Sequence, residues 1–125
     1  MTKEKLDVYR TILLEKRKFV LNSIERLREI AQIKEDEADT SNKHKFHLAD
    51  EGTDSMGREE SFMFISRELV YLNRIETAIK AIELGTYGTC KICGNDIPDE
   101  RLEAVPTADT CIGCKNATIH RFYMN

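Results

Sequence analysis

Two short cysteine hooks constrain the fold of this chain more than any other feature. Cys90 and Cys93 stand in YGTCKICG, Cys111 and Cys114 stand in TCIGCK, and these are the 4 cysteines of the 125-residue chain. Two residues between the members of a pair let both sulfurs reach one ion, and the spacing between the two pairs lies within the range of zinc sites. Gly94, directly after the first hook, permits the left-handed backbone that closes such a turn. The sequence therefore predicts one Zn²⁺ bound by all four cysteines.

The predicted zinc site is structural, because four thiolates fill the four positions of the ion and leave none for water or substrate. Zinc binding, worth about 10–16 kcal/mol in zinc-finger peptides, would replace the core that so small a module cannot build. Two disulfides or a redox CxxC pair are the alternatives. The charged start MTKEKLDVYR and the absence of any long apolar run predict a cytoplasmic protein without membrane contact, where thiols stay reduced and bind metal.

Two long stretches before the hooks carry helical periodicity. Residues 6–37 contain no Gly or Pro, and their apolar residues recur at steps of three and four, as do those of residues 57–84. The two stripes are Leu6, Tyr9, Leu13, Val20, Ile24, Leu27 and Ile30, and then Phe62, Ile65, Leu69, Leu72, Ile75, Ile79 and Ile82. Two narrow stripes that face each other predict an antiparallel coiled-coil hairpin. A short bundle, in which the hairpin folds back on itself or dimerises, is the alternative.

Turn-forming residues separate the two stripes. Residues 39–57 hold Gly52 and Gly57, and Asp54 or Ser55 could cap the second helix. Acidic residues gather in this stretch, so the pattern predicts an acidic hairpin tip at about residues 48–57. Gly85 is the predicted end of the second helix. The predicted fold is mainly α, with the coiled-coil hairpin in residues 1–86 and a four-cysteine zinc finger with a short C-terminal helix in residues 87–125.

Charge and composition exclude several classes of function. The net charge is −3, whereas a nucleic-acid-binding domain usually shows a clear basic excess. We therefore expect no direct sequence-specific DNA binding. Neither a Ser-His-Asp arrangement nor a phosphate-binding loop is visible, and the predicted metal site has no open position. The chain is therefore predicted not to be an enzyme.

The stretch YGTCKICGNDIPDERLEAVPTADTCIGCK resembles the zinc finger of the DksA/TraR family. The match rests on Tyr87-Gly88, both CxxC pairs, Ile97-Pro98, Arg101-Leu102-Glu103 and Pro106-Thr107-Ala108. A helical hairpin with an acidic tip in front of the finger is also the architecture of that family. The resemblance thus covers residues from about 5 to 122.

The resemblance implies a transcription regulator that binds bacterial RNA polymerase. In the family, the finger end docks at the rim of the secondary channel and the coiled-coil tip reaches toward the catalytic centre. The alarmone ppGpp, the signal of the stringent response, strengthens the effect in several members. The resemblance also implies a monomer that does not bind promoter DNA itself.

The family's functional residues match this chain in part. The tip motif Asp-x-x-Asp-x-Ala corresponds to Glu51 and Asp54, with Asp50 as the first carboxylate in a shifted register and Met56 in place of the alanine. The rim-contacting arginine falls on Arg67, and two basic residues that help to hold ppGpp fall on Arg74 and Lys115. A third basic position is Val105 here. Helix capping and solubility are the alternative role for the acids, and a solvated helix flank is the alternative for the two arginines.

A second class of function stays open at this point. A zinc ribbon can bind nucleic acid directly or act as an adaptor without RNA polymerase. The net charge and the few basic residues of the finger, Lys91, Arg101 and Lys115, argue against nucleic-acid binding. Co-purification with core RNA polymerase is the observation that separates the two classes.

Overall fold

In a computed structural model, the backbone of the chain is described for residues 1–44 and 48–124, and side-chain surroundings for residues 1–32 and 57–119. The four helices are α1 (Lys3–His44), α2 (Leu48–Leu84), α3 (Asp99–Ala104) and α4 (Ile112–Met124). Within these described ranges there is no strand, and a single isolated antiparallel bridge joins Thr89 to Asp96. The predicted fold class, a helical hairpin followed by a small cysteine-bearing module and a C-terminal helix, is confirmed.

The chain divides into two compact units. Unit 1 consists of Met1–Arg17 and Arg74–Asn125, and unit 2 consists of Lys18–Asn73. The division predicted at residue 86 follows the end of a helix along the chain. The compact units instead follow packing, so the first turns of α1 and the last turns of α2 belong with the finger.

The core of unit 1 draws on both long helices and on the finger. Leu13 of α1, Ile75 of α2 and Leu102 of α3 are all fully buried. Fully burying side chains of this size contributes about 1.5–3 kcal/mol each. The helix segments in this unit are antiparallel, because partners of successive α1 residues lie ever earlier in the chain. These pairs are Lys5 with Asp99, Tyr9 with Tyr87, and Arg17 with Glu76.

Unit 2 buries a face of each long helix that differs slightly from the predicted stripe. Its buried residues include Val20, Ile24, Ala31, Ser61 and Ile65. Three predicted stripe residues are exposed instead, namely Ile30, Phe62 and Leu69. Steps of four, three and four from residue 20 lead to residue 31, and a step of four back from residue 65 leads to residue 61. Helical geometry therefore selects the small residues next to the larger apolar ones.

Most of the stretch of turn-forming residues, 39–57, is helical. Helix α1 continues to His44 and α2 begins at Leu48, so the prediction of a loop over residues 39–57 is wrong for most of its length. Asp54 and Ser55 lie inside α2, and the prediction that one of them caps this helix is also wrong. A glycine in a helix costs only about 1 kcal/mol relative to alanine, and the segment holds no proline to stop the helix. The turn formers at residues 39–44 and 48–57 therefore do not prevent this part of the chain from being helical.

The end of α2 is where the sequence predicts it. Gly85 has a positive φ of 77°. Its N–H donates to the carbonyl of Ile82 at 3.3 Å, and the N–H of Thr86 donates to the carbonyl of Ala81 at 2.9 Å. This pair of bonds is the Schellman arrangement, which satisfies the last carbonyls of a helix and requires a left-handed residue. Among the described residues, no helix is both long enough and apolar enough to cross a membrane.

Candidate metal centre

The first hook is a tight turn shaped by backbone hydrogen bonds. The N–H of Gly94 donates to the carbonyl of Cys90 at 2.9 Å, and the N–H of Cys90 donates to the carbonyl of Asn95 at 2.8 Å. Gly94 has a φ of 76°, as the sequence predicts for this position. Because the chain doubles back here, Cys90 and Cys93 point to the same side of the turn. Cys90 is 1% exposed and is the most buried of the four cysteines.

The second hook stands at the beginning of α4. Cys111 precedes the helix and Cys114 lies in its first turn. The N–H of Lys115 donates to the carbonyl of Cys111 at 3.0 Å, which begins the helical hydrogen-bond pattern. The N–H of Cys114 is 3.5 Å from the sulfur of Cys111. The helix start therefore holds the two cysteines on one side, as the first hook does for its own pair.

The two hooks meet, and their four sulfurs lie within 4.8 Å of one another. The sulfurs of Cys93 and Cys111 are 3.8 Å apart. A tetrahedral zinc ion with sulfurs at about 2.3 Å has sulfur–sulfur edges of about 3.8 Å. The donor set therefore fits Zn²⁺ in both chemistry and size. The prediction of one structural zinc ion is confirmed.

The pKa values of the thiols show why this cluster suits a cation. The backbone N–H groups of Cys93, Cys111 and Ile92 lower the pKa of the Cys90 thiol to about 6. In contrast, the neighbouring thiols of Cys111 and Cys93 raise the pKa of Cys114 to about 12. The first thiolate is thus stabilised by backbone dipoles, while a further one is opposed by the sulfurs beside it. When bound, Zn²⁺ supplies the positive charge that allows four thiolates to stand together.

Two hydrogen bonds near the cysteines tie the two hooks and α3 together, and one exposed ion pair lies beside them. The N–H of Lys91 donates to the carbonyl of Asp109 at 2.9 Å, and the Lys91 ammonium lies 3.0 Å from the Asp109 carboxylate. Arg101 of α3 donates from its Nε to the carbonyl of Thr110 at 2.8 Å. The roles of Asp109 and Thr110 in these contacts have no local sequence signal. Their partners lie 18 and 9 residues away, so no local pattern could have identified these contacts.

A buried tyrosine anchors the finger to the helices of unit 1. The hydroxyl of Tyr87 donates to the carbonyl of Pro106 at 2.7 Å, and its ring lies 5.5 Å from the ring of Tyr9 at an angle of 49°. Burial raises the pKa of Tyr87 well above its ordinary value. The Lys5 ammonium also contacts the Asp99 carboxylate at 2.6 Å. These contacts hold α1, the first hook and the region around α3 in one packed body.

The other predicted site residues occupy exposed positions or lie outside the described residues. Arg67 is exposed in unit 2, with its guanidinium carbon 5.9 Å from the centre of the Phe64 ring. Arg74 of α2 and Lys115 of α4 are exposed in unit 1. The side chains of Asp50, Glu51 and Asp54 lie outside the described residues. Their roles stay predictions.

Residues 85–118 match the family described as prokaryotic DksA/TraR C4-type zinc finger. Curated proteins are similar to this chain over about half of its length. YteA of Bacillus subtilis is 47% identical over 64 residues, which are 51% of this chain and 27% of that protein. The RNA polymerase-binding transcription factor DksA of Haemophilus influenzae is 38% identical over 79 residues, which are 55% of this chain and 54% of that protein. The matched part of the chain thus spans 54% of the length of DksA and 27% of the length of YteA.

Solved structures extend the similarity to nearly the whole chain. The transcription factor DksA2 of Pseudomonas aeruginosa superposes with a TM-score of 0.82 at 26% identity, covering 95% of this chain and 86% of that one. A transcriptional regulator of Chlamydia trachomatis shares the fold with a TM-score of 0.55 at 20% identity, covering 98% of this chain and 96% of that one. The resemblance to the DksA/TraR family that the motif predicts is confirmed.

Proposed function

We propose that this chain, whose zinc finger belongs to the DksA/TraR family, is a transcription factor that binds bacterial RNA polymerase. The observation that carries the proposal is the combination of the finger match over residues 85–118 with the fold of DksA2 over 95% of the chain. A finger alone occurs on many scaffolds, and fold alone does not imply function. The transcription factor DksA2 shares the fold of this chain, in which a finger is combined with a helical hairpin.

In the finer form of the proposal, the protein acts from the secondary channel of the polymerase. The finger docks at the rim, and the tip with Asp50, Glu51 and Asp54 reaches toward the catalytic centre and modulates initiation. Carboxylates in this position would interact with magnesium ions and repel phosphates. The exposure of Arg67 and Arg74 supports a role for them in contact with the polymerase. The protein itself performs no catalysis in this proposal and acts as a cytoplasmic monomer.

We include ppGpp as a ligand at the polymerase interface, within a role in the stringent response. Exposed Arg74 and Lys115 are the residues of this chain proposed to contact it. The side chain at the third basic position of the family, Val105, is 43% exposed and carries no charge. We therefore expect a weaker dependence on ppGpp than three basic contacts would provide.

Co-purification with bacterial core RNA polymerase tests the proposal. The zinc-loaded protein should be retained by immobilised core enzyme, and an added secondary-channel factor should displace it. The matched control is a zinc-free preparation, whose finger should be unfolded and whose retention should be lost. Retention that the competitor leaves unchanged would contradict the channel as the binding site.

Direct binding to nucleic acid is the outcome that would replace the proposal. A zinc ribbon that acts on nucleic acid would bind DNA or RNA at low salt in the absence of polymerase, and the core enzyme would not retain it. The net charge of −3 argues against this outcome. Filter binding with labelled duplex and single-stranded probes, at two salt concentrations, measures it.

A further inference from the structure

Arg101 is a charged side chain of the finger that is not a zinc ligand, yet it contacts the peptide group beside one. Arg101 lies on α3, and the residue that follows it, Leu102, is fully buried. Its Nε donates to the carbonyl of Thr110 at 2.8 Å, in a partly buried contact. Thr110 directly precedes Cys111. Burial of Leu102 fixes the position of α3. The Arg101 side chain therefore extends from a fixed helix to this carbonyl.

The carbonyl of Thr110 and the N–H of Cys111 are the two polar ends of one planar peptide group, and in a trans peptide they point in opposite directions. Because the carbonyl is held by Arg101, the bond sets the orientation of the peptide plane from which Cys111 begins. Arg101 is thus connected through a single peptide group to a predicted zinc ligand, Cys111, whose sulfur lies 3.8 Å from that of Cys93.

We propose that Arg101 is a positioning residue of the zinc centre, which orients the Thr110–Cys111 peptide so that the Cys111 sulfur lies in bonding range of the metal together with the other three sulfurs. Groups that orient metal ligands in this way typically change metal affinity by about tenfold to a hundredfold when they are removed. The side chain of Lys91 offers a matched contrast. Its ion pair with Asp109 reaches the same segment, but both partners are more than half exposed, so it contributes little.

The test compares zinc release from the full chain loaded with zinc, using Arg101→Met and the control Lys91→Met. An excess of the metallochromic chelator 4-(2-pyridylazo)resorcinol reports the release rate. We expect Arg101→Met to release zinc about tenfold or more faster than the wild type, and Lys91→Met to stay within about twofold. An Arg101→Met protein that binds one zinc ion and releases it at the wild-type rate would overturn the proposal.

A spectroscopic readout separates positioning from a general loss of stability. With Co²⁺ in place of zinc, displacement of the Cys111 thiolate should shift the sulfur-to-cobalt charge-transfer band. We expect this shift in Arg101→Met and not in Lys91→Met. If Arg101→Met does not fold, Arg101→Lys decides, since it keeps the charge and most of the stem. Faster zinc release with a shifted band in Arg101→Lys supports the proposal, whereas wild-type values for both overturn it.

Discussion

At the scale of single residues, glycines with positive φ are the positions that local chemistry determines most strictly. Gly94 closes the first hook at a φ of 76°, and no atom beyond its chain neighbours lies within 4 Å of the place where a Cβ would stand. A substitution there is therefore strained by the backbone conformation and not by crowding. For an alanine, this left-handed conformation costs about 1–2 kcal/mol.

The first prediction follows from this strain. Gly94→Ala should weaken zinc binding by about tenfold, because the hook must adopt the left-handed conformation to bring Cys90 and Cys93 together. Competition with a chelator of known affinity measures the effect. Gly113→Ala is the matched control, since Gly113 lies between the other two ligands inside α4 and has open space around it. A loss of affinity in Gly113→Ala as large as that in Gly94→Ala would contradict the explanation.

The second prediction concerns the buried hydroxyl of Tyr87. Tyr87→Phe keeps the ring beside Tyr9 but leaves the carbonyl of Pro106 without its donor at 2.7 Å. We expect the free energy of unfolding at pH 7 to fall by about 1–3 kcal/mol. Urea denaturation of the zinc-loaded protein measures it, with Tyr71→Phe in α2 as the control at a half-buried position. Equal decreases in the free energy of unfolding in the two variants would show that the Tyr87 hydroxyl contributes no more to stability than the Tyr71 hydroxyl does.

Tyr87 also makes the free energy of unfolding depend on pH. Burial raises the pKa of Tyr87 above the ordinary value of 10.0. The folded protein therefore holds the phenolic proton more tightly than the unfolded chain does. The resulting stabilisation is complete below pH 10.0 and is lost as the pH rises above it. Denaturation at several alkaline pH values should show a shallower decline for Tyr87→Phe than for the wild type, and parallel curves would contradict this.

At the scale of elements, α2 carries exposed cations among its described side chains. Arg67 and Arg74 are exposed, and Arg67 lies against the ring of Phe64. Contact between a guanidinium and a ring contributes about 0.5–1 kcal/mol at exposed sites. The stability of the hairpin therefore depends little on these arginines, and their substitution reports on binding.

The third prediction uses both arginines together. Arg67→Ala with Arg74→Ala should weaken retention on core RNA polymerase several-fold and reduce its dependence on salt, since each exposed ion pair contributes about 0.2–1 kcal/mol. The matched control is Lys18→Ala with Lys80→Ala, which removes the same charge from exposed positions of α1 and α2. If the control weakens retention equally, net charge alone accounts for the effect.

At the scale of the whole molecule, packing does not follow the order of the chain. The finger shares unit 1 with Met1–Arg17 and with the segment of α2 that begins at Arg74, while Lys18–Asn73 form unit 2. Zinc binding is coupled to the folding of the body that contains its ligands. Loss of the metal should therefore affect both chain ends more than the middle.

The fourth prediction follows from this division. Removal of zinc should abolish hydrogen-exchange protection in the finger and reduce it at the last turns of α2 around Ile75 and Ala78. Protection around Ile24 and Ile65 should be retained, because these buried residues belong to unit 2 and the finger belongs to unit 1. Exchange measured by mass spectrometry before and after chelation tests this. Uniform loss over both units would show that the chain folds as one cooperative body.

The fifth prediction concerns the output of the proposed complex. Asp54→Asn removes a charge at a position inside α2, and Asn and Asp have similar helix propensities, so folding should be unchanged. The variant should bind core polymerase as the wild type does, but it should lose any effect on open-complex lifetime at a sensitive promoter. Glu51→Gln should act in the same direction more weakly. A wild-type effect in Asp54→Asn would assign the acidic residues to solubility instead.

Much of the fold and of the metal site could be predicted because it depends on short-range chemistry. The spacing of the cysteines, the left-handed glycines at residues 85 and 94 and the two helical stretches all follow from interactions among residues a few positions apart. Residues 39–57 differ from the prediction for the same reason. Their glycines and polar residues indicate a loop locally, yet they do not prevent two helices from continuing to His44 and from Leu48.

Only the tertiary structure decided which residues share a core and which side chains hold the hooks in place. The burial of Ala31 and Ser61 in preference to Ile30 and Phe62 depends on the direction in which each helix faces its neighbours. The bonds from Tyr87 to Pro106 and from Arg101 to Thr110 join positions 19 and 9 residues apart, and each forms because α3 is packed beside the hooks. Periodicity and motifs carry information over a few turns of chain, whereas such contacts depend on the relative placement of whole elements, which packing determines.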